Sequence, residues 1–217
     1  MVAKLKDPLS GLTHFIGICL AVVGLVLLLL KSSDPVKPWH IATFCVFSTG
    51  MILLYLTSTL YHWLSLSEVG TRRLKKFDHM MIFVMIAASY TPICLIPLRG
   101  PVGWGMFGSV WGIAAAGLLF KIFWIKAPRW LSTGIYVAMG WVVIAGIVPL
   151  VKVLQPGAVF WLANGGLFYT VGAVIYAVKR PNPWPSVFGF HEIFHVFVLA
   201  GSFSHYLVMY NYITLFE

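Results

Sequence analysis

An all-α integral membrane protein, folded as a seven-transmembrane helix bundle with a cytoplasmic N-terminus and an extracytoplasmic C-terminus, is the fold class this sequence predicts. Three observations carry it. The 217 residues are 60% hydrophobic, 16% aromatic and only 10% charged, against roughly 25% charged residues in a soluble domain. Apolar runs recur seven times, each near the ~20 residues that a helix needs to cross a bilayer. Lys and Arg crowd into alternate connections, as they do in a chain with a fixed orientation.

The first run, 12–30, follows Lys4 and Lys6 in the manner of a signal peptide. THFIGICLAVVGLVLLLLK is longer than an h-region and lacks an AxA-like cleavage site, so it is expected to stay as a span. The second, 40–62, ends in STLYH, and the third, 77–98, opens with KKFDH and carries Pro92 and Pro97, which should bend it. The fourth, 103–123, holds Gly108 and Gly112, a GxxxG expected to pack closely. The fifth covers 131–151. The sixth, 157–178, contains Asn164, expected to bond between helices, and the rigid PNPWP at 181–185 sets the start of the seventh, 188–212. Trp39, Trp63, Trp104, Trp124, Trp130, Trp161 and Trp184 fall near span ends, as an aromatic belt should. With no long linker, residues 1–217 are read as one domain.

Orientation follows from charge. Lys4, Lys6, Arg72, Arg73, Lys75, Lys76, Lys121, Lys126, Arg129, Lys179 and Arg180 share one side, leaving Lys31, Lys37, Arg99 and Lys152 for the other. The richer side, with the 63–76, 121–130 and 179–187 loops, is expected in the cytoplasm of a cell whose plasma membrane holds the chain. The net charge of +9 forms short clusters and no continuous face, which argues against nucleic acid. Cys19, Cys45 and Cys94 lie in apolar stretches and read as small hydrophobes.

Costly polar residues converge on that side. Ser58 and His62 sit one turn apart at the end of the second span, Asp78 and His79 open the third, and His191 and His195 form an i, i+4 pair at the start of the seventh. Such a pair lies about 40° apart around a helix and ~6 Å along it. Two imidazoles one turn apart can hold one cation, and His62 would complete a three-ligand site with a position left for water. Zinc suits neutral imidazoles, and no thiolate or haem signature competes. Asp78 could orient a ligand histidine or take a proton, and Ser58 could hydrogen-bond a substrate. HEIFH also matches the HExxH of zinc proteases, in which Glu192 would be the base. Five letters leave STLYH and KKFDH unexplained, so Glu192 is read as an interfacial or supporting carboxylate. His79 is expected at the headgroup level, and His14 is read either as a neighbour of the site or, in preference, as an interfacial residue. His205, 14 residues beyond His191, is some 21 Å along the helix and too far to share its metal.

The set SxxxH (Ser58, His62), the Asp of FDH (Asp78) and HxxxH (His191, His195) resembles the hemolysin III branch of the progestin and adipoQ receptor (PAQR) superfamily. The likeness extends to Thr13 and His14, SYTP (Ser89 to Pro92), LLFK (Leu118 to Lys121), YVAMGW (Tyr136 to Trp141) and NGGLFYTVG. Bacterial members often carry an ExxN element before the TH pair, where this chain has Asp7 and Ser10, and a small hydroxyl residue after FDH, where it has Met80. The resemblance implies seven helices with the N-terminus inside and a zinc on His62, His191 and His195. It implies further a zinc-dependent hydrolase of a membrane lipid, an amide of the ceramide type, with Asp78 and Ser58 at the chemistry. Two other classes stay open: a pore-forming hemolysin, and a receptor or sensor with a structural zinc. Few charged residues are available to line a pore.

Overall fold

Pro8, Pro38, Pro101 and Pro156 each open a helix, where proline's fixed φ is already helical and its missing N–H would have had no partner. The computed structural model describes residues 5–124, 127–185 and 187–217, so Lys4 and Lys126 of the charge asymmetry lie outside the described residues. The helices are α1 (Pro8–Lys31), α2 (Pro38–Trp63), α3 (Glu68–Leu95), α4 (Pro101–Phe123), α5 (Arg129–Gly140), α6 (Ile147–Val153), α7 (Pro156–Val178) and α8 (Phe190–Asn211). A 3₁₀ stretch, Trp141–Gly146, joins α5 to α6 as one broken fifth span. Seven spans are thus long and apolar enough to cross a bilayer, as the sequence predicts.

Four details differ from expectation. The third helix begins at Glu68, well before the apolar run, because the Ser67 hydroxyl accepts the Gly70 N–H at 3.3 Å and Glu68 complements the first turn. Part of the 63–76 connection is therefore helix, which hydropathy alone could not reveal. Pro92 is inside α3, but Pro97 falls in the turn after Leu95 and does not bend it. Asn164 turns back on its own helix, donating to the Phe160 carbonyl at 2.8 Å, since it faces away from the neighbouring helices. Among the described residues Gly108 and Gly112 meet no neighbouring element; a Cβ at either would find no atom beyond its own helix backbone within 4 Å.

The helices close a ring in which α1 packs on α2 and α8, α2 on α3, α3 on α4, and α7 on α8, with α5 against α3 and α7. At one end, the N-termini of α1, α3 and α8 meet the C-terminus of α2. Asp7 N–H donates to the His62 carbonyl at 2.8 Å and Trp63 Nε1–H to the Pro8 carbonyl at 3.2 Å. Gly11 permits this approach, since a Cβ there would lie 2.1 Å from the Trp63 ring. Lys6, Lys76 and Arg129 bind backbone carbonyls at this histidine end, whereas Lys31 and Lys37 bind those of Tyr210, Thr214 and Phe216 at the other.

Between α3, α5, α7 and α8 runs a cavity of about 640 Å³. Asp78 and Ile93 of α3 both border it; fifteen residues apart on a helix, they span about 22 Å. Ionisable residues mark the histidine end, and Ile86, Ile93, Ile147, Leu150 and Leu162 the deep remainder.

Candidate metal centre

His191 and His195 lie in the first two turns of α8, on one face, and His62 is in the last turn of α2. One nitrogen from each lies within 4.8 Å of the other two. His62 Nε2 and His191 Nε2 are 3.1 Å apart. The remaining nitrogens fix the tautomers. His62 Nδ1–H donates to Asp7 Oδ2 at 3.1 Å, and His195 Nδ1–H to the Ser10 carbonyl at 3.1 Å, with Thr13 Oγ1 equally near. Both rings then turn their Nε2 lone pairs inward. Converging lone pairs repel unless a cation or a proton sits among them, and an all-imidazole set with one open position fits zinc.

Asp7 and Ser10 are the residues that spacing arguments missed. They occupy the places of the ExxN element, and that correspondence was the available signal. The carboxylate holding a histidine is Asp7; no hydrogen bond joins Asp78 to a ligand histidine among the described residues. Asp78 instead borders the cavity with Ser58 beside it, and the Ser58 hydroxyl is buried, short of hydrogen-bonding geometry.

Glu192 lies outside the converging set. Its Oε2 accepts the Gly189 N–H at 2.8 Å, capping α8, and Oε1 takes the Ser10 hydroxyl. It ties α8 to α1, in keeping with a supporting carboxylate. His14 departs from the interfacial expectation. It is 3% exposed, lies parallel to the His195 ring at 3.7 Å between centroids, and has neither ring nitrogen hydrogen-bonded. Ser10, His14, Gly17, Ala21, Gly24 and Leu28 recur at three- and four-residue spacing and form the buried face of α1, a stripe legible in the sequence. His79 also faces inward, bordering the cavity with Nδ1 buried and unpartnered. His205, also on the cavity, donates to the Gly201 carbonyl at 2.9 Å, apart from the triad.

A family model described as "Haemolysin-III related" matches residues 2–206. The chain is 37% identical over 198 residues to the "Hemolysin-3 homolog" of Bacillus subtilis (strain 168), covering 91% of this chain and 89% of that one. It is 27% identical over 205 residues to the human "Monocyte to macrophage differentiation factor" (93% and 82% covered) and 28% over 215 residues to the "Adiponectin receptor protein" of Drosophila melanogaster (89% and 48% covered).

Proposed function

The chain belongs to the haemolysin III family of multi-pass membrane proteins, here of a bacterial plasma membrane, and on that premise we propose that it is a zinc-dependent hydrolase of a membrane lipid. One observation carries the reading: three histidine nitrogens converge, and two of those histidines, His191 and His195, line the polar end of a long, largely apolar cavity together with Asp78 and Ser58. Zinc on His62, His191 and His195 would supply Lewis acidity at a scissile carbonyl and lower the pKa of water. Asp7 and the Ser10 carbonyl hold His62 and His195 in the ligating tautomer. Asp78 accepts a proton at its carboxylate and returns it to the leaving group, and Ser58 donates its hydroxyl to the substrate. The apolar wall holds an acyl chain and excludes bulk water. An amide of the ceramide type is the substrate class that the family resemblance favours.

Purified wild type should carry about one zinc per chain, as a three-ligand site requires, and a double His191→Ala, His195→Ala variant should lose it. In nanodiscs containing a broad lipid panel, Asp78→Asn should lose about a hundredfold or more in turnover with zinc retained, while Glu192→Gln keeps most of it. An inactive Glu192→Gln beside an active Asp78→Asn reverses the roles. No turnover by zinc-loaded wild type rejects the hydrolase.

The second reading, a receptor with a structural zinc, draws on the polar ties that bury the triad and on the fly relative's name. A pore, the reading behind the Bacillus name, predicts conductance in pure lipid vesicles without turnover.

The histidine end is taken to face the cytoplasm, because the basic clusters gather there. In a variant lacking native cysteines, a cysteine placed at residue 68 should resist impermeant maleimide added to intact cells. Labelling from outside would invert the topology.

A further inference from the structure

The wall facing the histidines carries a charged group that the proposed chemistry does not use. Lys121, in the last turn of α4, is 2% exposed, and its side chain turns into the bundle instead of toward water. Its ammonium donates once, to Ser132 Oγ at 2.6 Å, and has two further donors. The ordinary task of such a lysine, meeting the end carbonyls of its helix, is already done by Lys76, which donates to the Ile122 carbonyl at 2.9 Å. Arg129 and Lys75 border the same end of the cavity, with Arg129 held over the Tyr176 ring at 4.6 Å. No carboxylate pairs with any of the three cations among the described residues. Thr133 adds a buried hydroxyl without a partner. The neutral or acidic groups facing this end are His79, Tyr136, Tyr176 and Asp78, so one carboxyl stands against three cations. An unpaired buried ammonium is costly, and the missing partner is an anion.

We propose that Lys121, Arg129, Lys75 and Thr133 form an oxyanion subsite that takes the phosphate-bearing headgroup of a lipid whose chain lies in the apolar length of the cavity. This rests on the reading of the cavity as a lipid site; it makes the bound lipid anionic, and so differs from the ceramide-type amide that the family resemblance favours, which carries no phosphate. It does not depend on turnover. Lys121 supplies the buried charge-assisted bond, Arg129 a planar pair of donors, and Lys75, exposed at the rim, draws the headgroup in.

The test is binding to the purified full-length protein in neutral detergent, by native mass spectrometry, with hexadecyl phosphate, uncharged hexadecanol and inorganic phosphate as probes. Hexadecyl phosphate should bind about tenfold or more tighter than hexadecanol, the worth of one charged hydrogen bond. Lys121→Met should erase that preference without weakening hexadecanol, and Lys121→Arg should keep it. Should Lys121→Met fail to fold, Arg129→Gln and Thr133→Val take its place; an unchanged preference in both overturns the subsite. Millimolar inorganic phosphate should leave hexadecyl phosphate bound, and full displacement would assign the site to a soluble anion instead. The double His191→Ala, His195→Ala variant should retain the preference; its loss there would put the anion at the histidines and refute the proposal. Preference without lipid turnover sinks only the hydrolase reading, and turnover without preference sinks only the subsite.

Discussion

The two walls of the cavity are held by different means. On the histidine wall, side chains and carbonyls from α1, α2 and α8 answer one another: Asp7 with His62, Ser10 with His195 and Glu192, His14 against His195. On the facing wall, the fifth span is broken by a 3₁₀ stretch and meets the cavity along most of its length, from Arg129 to Leu150. The first wall has the fixed geometry that a metal demands, with hydrogen-bond partners setting the orientation of His62 and His195. The second has the apolar surface and irregular backbone suited to a flexible chain.

Removing one tie from the histidine wall should break the contrast most visibly. Asp7 Oδ2 is 3.1 Å from His62 Nδ1, and the Asp7 side chain is 44% exposed while that of His62 is 4% exposed. The carboxylate is therefore accessible to change without opening the core. Asp7→Ala should weaken zinc binding by about ten- to a hundredfold, measured by competition with a chelator, with the helical content unchanged. Asp7→Asn, which keeps an acceptor but loses the charge, should fall between. Unaltered affinity in both variants would mean that His62 is held by packing alone, and the comparison of walls would lose its chemical basis.

The same contrast explains what was legible beforehand. Seven spans, and the depth shared by His62, His191 and His195, followed from apolar run length and i, i+4 spacing, both of which are local properties of a helix. Asp7 lies just before α1, where no periodicity marks it, and Ser10 opens the buried stripe of α1, but their contacts with His62 and His195 depend on how α1 seats between α2 and α8. The preference for an interfacial His14 over a neighbour of the site fails for a related reason. Proximity to a span end suggested an interface, while the stripe from Ser10 to Leu28 that buries it was there to be read. The inward turn of Lys121 was hidden by a rule that is correct on average: basic residues at span ends usually signal orientation, and this one also faces a cavity.

One polar tie of the facing wall sits at the break in its fifth span, and breaking it should have the smaller effect. Tyr90 of α3 donates its hydroxyl to the Gly140 carbonyl and accepts the Val143 N–H at 2.9 Å. Those two groups flank the point where α5 gives way to the 3₁₀ stretch, and Pro149, which has no N–H, sits just inside α6. The backbone here has lost helical partners, and Tyr90 replaces two of them. Tyr90→Phe removes only an oxygen, leaving the ring packed and the two backbone groups unpaired, which costs about 1–3 kcal/mol. Thermal unfolding in detergent should shift down accordingly, and hydrogen exchange should quicken at Gly140 to Gly146 while the amides of α8 stay protected. Zinc affinity should not move. Were zinc lost along with protection in the fifth span, the walls would be coupled, and the stiffness of the histidine side would depend on the side that faces it.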